Sequence, residues 1–189
     1  MGDGGINNKW QANITVNAVA DAAYALHIVK LIEELFGISP AVRKRKERQA
    51  LVICISSMTV VDFLVDNGLV RGNKLKGGLA VPQWILEKRS YRIACIRGLV
   101  DTDGCLYVHR HTVSGKEYRN IGFCFASHSP VLIGQVAQIF EEFSIIPHIT
   151  KQGRQIFLYS HSAVARYLAV FGTSNERISS VFKEFGGVG

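Results

Sequence analysis

Residues 96–104 read Ile-Arg-Gly-Leu-Val-Asp-Thr-Asp-Gly, an apolar helical stretch that ends on two carboxylates and a glycine. Ala94 and Gly98 stand four apart on this helix and let another helix backbone approach closely, so two such helices can pair and bring their C-terminal ends together. Each end would then deliver one carboxylate to a shared centre. Two carboxylates there repel each other and the negative ends of the helix dipoles, an arrangement that a divalent cation offsets. Hard oxygen donors with few protein partners favour Mg2+, completed by water and substrate phosphate.

The elements that must position such a helix emerge from an internal repeat. Leu31-Ile-Glu-Glu-Leu-Phe-Gly-Ile-Ser-Pro40 matches Gln138-Ile-Phe-Glu-Glu-Phe-Ser-Ile-Ile-Pro147, with Phe36 over Phe143 and Pro40 over Pro147. Both have apolar residues at helical spacing and stop at a proline. The same offset puts Ile14 on Ile121 and Val16 on Phe123, inside runs that alternate as half-buried strands do. Ala12, Ile14 and Val16 share one face of the first run, and Gln11, Asn13, Thr15 and Asn17 the other. Val42-Arg43-Lys44 falls over Ile149-Thr150-Lys151, and Arg48-Gln49 over Arg154-Gln155. Helices are predicted at about Thr59–Val65 and Ala163–Val170. Each half therefore reads strand-strand-helix-strand-strand-helix, an α+β fold in which an antiparallel sheet carries helices on one face and leaves the other open. The expected division is a first repeat over 1–70, a connector over 71–90 and a second repeat over 91–189. The connector is rich in Gly, Lys and Arg, and its Val81-Pro-Gln-Trp-Ile85 needs burial.

Ile96–Gly104 resembles the LAGLIDADG signature of the homing endonucleases: Gly98 and the Asp-x-Asp-Gly ending, Asp101 to Gly104, match position by position. The Val-Pro-x-Trp-Ile connector is also similar to members of that family. Ahead of the first repeat only Gly2-Asp3-Gly4 matches, covering the last three motif residues without the preceding helix. On its own Asp3 reads as a turn residue; its place ahead of a repeat sets it apart. The resemblance implies two pseudo-symmetric repeats forming a DNA-binding saddle, with Asp3 and Asp103 as catalytic metal ligands and Asp101 as a structural neighbour. It further implies a staggered, Mg2+-dependent cut of double-stranded DNA at a specific sequence. Lys44 and Lys151 lie near the strand positions where the family has a catalytic lysine and would polarise water or stabilise charge. Without a first signature helix, the apolar face of the second, including Ile93, Ile96 and Val100, is expected to be exposed and to be covered in a homodimer if a second chain replaces the missing helix. Otherwise the chain is a monomer of two repeats. The family also implies two alternatives, a degenerate protein that grips DNA without cutting it and an intron RNA maturase with RNA as partner.

The open sheet faces would present long polar side chains to a major groove. Candidates are Gln11, Asn13, Arg43, Arg45, Lys46 and Arg48 in the first half, and Tyr107, His109, His111, Lys116, Arg119, Gln152 and Arg154 in the second. Seven extra residues between Asp103 and the second strand of its repeat, relative to the first repeat, lengthen the hairpin there. With 22 Lys and Arg against 15 Asp and Glu, the formal charge of +7 favours a polyanionic partner. Cys54, Cys95, Cys105 and Cys124 form no CxxC pair and are expected to be reduced core residues. His109-x-His111 lacks a third ligand and is not taken as a metal site. No segment reads as a signal peptide or membrane span, so an intracellular, soluble protein is expected, cytoplasmic or organellar.

Overall fold

The computed structural model describes residues 3–45 and 48–186. The first repeat runs β1 (Gly4–Asn8), β2 (Gln11–Asn17), α1 (Ala22–Phe36), β3 (Ala41–Arg45), β4 (Ala50–Ser56) and α2 (Met58–Asp66). After α3 (Gln83–Glu87) and α4 (Arg89–Asp103), the same order returns as β5 (Gly104–Val113), β6 (Lys116–Ala126), α5 (Pro130–Glu142), β7 (His148–Ile149), β8 (Gln155–Leu158) and α6 (His161–Val170); α7 (Glu176–Gly186) follows. The two four-stranded antiparallel sheets have equivalent orders, β1-β2-β4-β3 and β5-β6-β8-β7.

Local chemistry sets the element ends. The Ser57, Ser129 and Ser160 hydroxyls accept N–H bonds at the starts of α2, α5 and α6. Gly37 closes α1 in the left-handed region at φ 64°, its N–H donating to the Glu33 carbonyl. Ser114 and Gly115 both have positive φ and join Val113 to Lys116 in a two-residue turn, whose twist suits the long β5–β6 hairpin. That hairpin is the expected extension of the second repeat: β5 has 10 residues against 5 in β1.

Each repeat has its own core. Ile14, Ile53 and Ile55 pack with Tyr24, Ile28 and Ile32 of α1 in the first. Phe123, Phe140, Tyr167 and Phe171 form the aromatic centre of the second. The connector's Leu79, Val81 and Ile85 join the second core. Gln135 of α5 accepts the Val81 N–H at 2.8 Å.

Cross-strand partners lie on the same face of a sheet, which sorts the candidate DNA residues. Gln11, Asn13, Arg43 and Arg45 share the open face of the first sheet through the pairs Gln11↔Ser56, Asn13↔Cys54, Arg43↔Val52 and Arg45↔Ala50. Lys44 pairs with Leu51, itself the partner of the core residue Val16, so it stands on the helix side, against the expectation. In the second sheet Tyr107, His109, His111 and Lys116 share the open face. Arg119 does not: it lies one residue out of phase, and its guanidinium sits 5.7 Å from the Phe185 ring of α7. The single-residue alternation of a strand makes each of these assignments all or none.

Two further expectations are corrected. Ile96 and Val100 are completely buried in the second core and Ile93 packs against it, so the exposed face of α4 is elsewhere. Cys105 and Cys124 are register partners on the open face of the second sheet, half-buried rather than core, while Cys54 is buried.

The motif glycines differ in what they permit. A Cβ on Gly98 would meet nothing within 4 Å, whereas one on Gly104 would meet Val100 Cγ1 at 2.5 Å and the Val100 carbonyl oxygen at 2.7 Å. Gly98→Ala is expected to stabilise the chain by about 0.5–1 kcal/mol through helix propensity, and Gly104→Ala to destabilise it by about 1–3 kcal/mol through overpacking. Urea denaturation of both variants measures the contrast.

Candidate active site and nucleic-acid interface

The two acids meet where the repeats meet. Asp103 is the last residue of α4, directly ahead of β5, and Asp3 directly precedes β1. The Asp3 carbonyl accepts the Thr15 N–H at 3.2 Å, which ties the start of the chain to β2. The two carboxyl groups interact directly, and a hydrogen bond between them needs one of them to keep its proton. Burial and the Asp3 charge push Asp103 up to about 7, against the opposing field of Lys74; partial loss of water around its carboxyl also raises Asp3, although the residue as a whole is exposed.

Lys74, in the connector, is the cation at this pair. Its Nζ donates to the Gly4 carbonyl at 3.2 Å, and its charge acts on both acids. Sequence reasoning noted the basic connector but placed the active lysines at Lys44 and Lys151. Lys44 lies on the far face of its sheet, and Lys151 is exposed in the turn after β7. The missed signal was Lys74 in a connector whose neighbouring apolar residues are folded into the core.

Asp101 has the structural role expected of it. It is 2% exposed, and its carboxylate accepts hydrogen bonds from the Thr173 hydroxyl and, at 2.9 Å, the Ser174 N–H. It thereby docks the segment between α6 and α7 onto α4. Burial raises its pKa and these hydrogen bonds oppose the rise.

Beside the acids, a groove of about 530 Å³ runs between the repeats, lined by Tyr91, Ala94 and Gly98 of α4 and by Leu31 and Leu35 of α1. The small-residue stripe of α4, rather than its Ile face, is what this groove leaves open. Among the described residues no cluster of three or more His, Cys, Asp or Glu is arranged to hold a metal. A pair of carboxylates that must share a proton is nevertheless suited to a divalent ion, because such an ion replaces the proton and neutralises both charges.

The open face of the second sheet is richer in aromatics than the sequence candidates suggested. His109 stacks on His111 at 5.3 Å and His111 on Tyr118 at 5.6 Å; Phe157 stacks on Tyr159 at 5.5 Å. The Tyr107 ring covers Gly122, where a Cβ would fall 2.4 Å from it. Arg48 is exposed just ahead of β4, and Gln152 and Arg154 are exposed between β7 and β8. Lys46 lies outside the described residues.

Residues 90–178 match the family model of the LAGLIDADG-like domain. The second half of this chain is thus similar to the LAGLIDADG-like domain. The whole chain has the same fold as the LAGLIDADG meganuclease I-AabMI bound to uncleaved DNA, with a TM-score of 0.64 over 99% of this chain and 86% of that one at 11% identity. Meganuclease I-SmaMI bound to uncleaveable DNA gives 0.63 over 98% and 86% at 10% identity, and the I-LtrWI LAGLIDADG homing endonuclease bound to target DNA gives 0.56 over 94% and 80% at 9%. No curated protein matches the chain. The LAGLIDADG fold thus extends through both repeats. No helix among the described residues is long and apolar enough to cross a membrane.

The shared proton has a thermodynamic consequence. An unfolded aspartate ionises near 3.8, whereas Asp103 keeps its proton to about 7. As pH rises between these values the unfolded chain ionises first, so this site removes stability across that window and no more above it. The melting temperature of the metal-free protein is expected to fall less between pH 5 and pH 7 in Asp103→Asn than in wild type. Calorimetry in EDTA reads the difference; identical slopes would show that the acids do not interact.

Proposed function

We propose that this protein is a sequence-specific, divalent-metal-dependent endonuclease of double-stranded DNA, organised as repeats over 1–70 and 91–189 with a connector over 71–90. The observation that carries this reading is the convergence of Asp3 and Asp103 at the junction of two open sheet faces that carry Arg, Lys, Asn, His and Tyr. Asp3 and Asp103 would hold Mg2+. The bound metal supplies an activated water and charge compensation at the scissile phosphate. Lys74 adds positive charge where negative charge grows in the transition state, the role first expected of Lys44 and Lys151. A carboxylate from each repeat suits one strand each, which supports a double-strand cut.

Gln11, Asn13, Arg43 and Arg45 on one sheet and Tyr107, His109, His111 and Lys116 on the other are the base- and phosphate-contacting candidates that share the open faces. Arg48, Gln152 and Arg154 would extend the contact from the turns. Arg119 is left out, because α7 covers its side of the sheet. Binding without cleavage is the second reading. The exposed position of Asp3 beside the open groove favours it.

The test is a randomised duplex library offered to the wild-type chain in Mg2+ or Ca2+. Cleavage at an enriched site in Mg2+ is expected, abolished in Asp103→Asn and lowered by about 10²-fold in Lys74→Met, the scale of losing one preplaced charge-stabilising donor. Lys44→Met should cut as wild type does. Binding in Ca2+ with no cut in Mg2+ would establish the binder instead, and preference for structured RNA over any duplex would point to the maturase class. Once a site is known, Arg43→Ala should weaken binding by about 1–3 kcal/mol, while Arg119→Ala leaves affinity and its salt dependence unchanged; equal losses would reverse the assignment of faces.

A further inference from the structure

One hydrogen-bond pattern recurs in both repeats. After α2, Lys74 donates to the carbonyl of Gly4 at 3.2 Å; after α6, Arg177 donates from both terminal guanidinium nitrogens to the carbonyl of Gly104 at 3.3 Å. Each glycine directly follows one acid of the site. The two cations are therefore counterparts by place and by target, although one is in the connector and the other on the final helix.

Their surroundings differ. Arg177 Nε donates to Asp21 Oδ1 at 2.9 Å, and Asp21 belongs to the opposite repeat, directly ahead of α1. Asn175, 1% exposed, completes the joint. Its Nδ2 donates to the same Asp21 oxygen at 2.7 Å and to the Asp101 carbonyl at 2.9 Å, and its Oδ1 accepts the Arg177 N–H at 3.0 Å. Every proton of that buried amide nitrogen is used, one on each repeat. The planar guanidinium has a fixed fork, so holding one edge on Asp21 aims the other at Gly104.

Gly104 is thereby held from both sides: its N–H donates to the Val100 carbonyl at the end of α4, and its own carbonyl accepts from Arg177. A glycine at a helix-to-strand junction has the widest backbone freedom of any residue, and these contacts remove it immediately after Asp103. An ion pair that is mostly out of water and carries additional hydrogen bonds also loses strongly when one partner is removed.

We propose that Arg177 is a positioning residue for the Asp103 half of the site, held on the Gly104 carbonyl by Asp21 of the other repeat, so that the two halves are set by different devices. This rests on the nuclease reading. Asp3 is set by Lys74 and β2; Asp103 is set by a latch that crosses between repeats. Loosening the latch disturbs the strand served by Asp103 more than the other, since Asp3 feels Arg177 and Asp21 only through their charges.

The experiment is strand-resolved cleavage of an end-labelled target by the full chain, comparing wild type with Arg177→Gln, Arg177→Lys and Asp21→Asn, with Ca2+-supported binding measured alongside. Arg177→Gln is expected to slow one strand by about tenfold or more through misplacement of its acid, leaving nicked duplex and unchanged DNA affinity. Arg177→Lys, which retains a charged donor for the carbonyl, should recover much of that loss; Asp21→Asn should give the same strand bias in weaker form. Equal slowing of both strands, or none, overturns the proposal while leaving the nuclease reading intact. A wild-type chain that cuts neither strand overturns that reading, and the proposal falls with it. If Arg177→Gln fails to fold, the strand ratios of Arg177→Lys and Asp21→Asn decide.

Discussion

Repulsion between two carboxyl groups is the constraint around which the rest of this structure is arranged. Asp3 and Asp103 interact because separate repeats each place an acid at the start of a strand, and the cost of bringing them together appears as a proton retained to about pH 7 on Asp103. Lys74 offsets part of that repulsion from the connector. Arg177 and Asp21 contribute a second charge pair at the rim. A site so arranged is unfavourable in the protein alone and would be relieved by a bound cation, which is the physical basis for proposing a metal there.

The open sheet faces extend from this centre because of how strands alternate. Each sheet buries one face under α1 and α2 or under α5 and α6, and the same alternation that buries Ile53 and Phe123 presents Arg43 and His109 on the other side. Residues that look equivalent in composition, such as Lys44 beside Arg43 and Arg119 beside Asn120, are separated by the thickness of a sheet. Counting charges along a strand cannot tell them apart, whereas the pairing register can.

The pseudo-symmetry is close in topology and incomplete in chemistry. Gly4 and Gly104 are held by a lysine in one half and an arginine in the other, and the arginine is tied to Asp21 of the opposite repeat by an ion pair at 2.9 Å. The groove beside α4 adds to this difference, since it separates the small-residue stripe of α4 from Leu31 and Leu35 of α1. The repeats therefore provide the same scaffold for two sites that need not behave alike.

The sequence by itself determined the repeat, the order of strands and helices, the two acids and the structural character of Asp101. Those features are local: periodicity of 2 or 3.6, proline stops and a nine-residue motif are all written in neighbouring residues. Tertiary structure decided which basic residues stand beside the acids. Lys74 and Arg177 reach their targets across 70 and 73 residues of chain, Lys44 and Arg119 turn to the helix side, and Ile96 and Val100 are buried beneath the second sheet's core instead of exposed. Contacts closed over such separations depend on how whole repeats pack, and no spacing within a repeat encodes them.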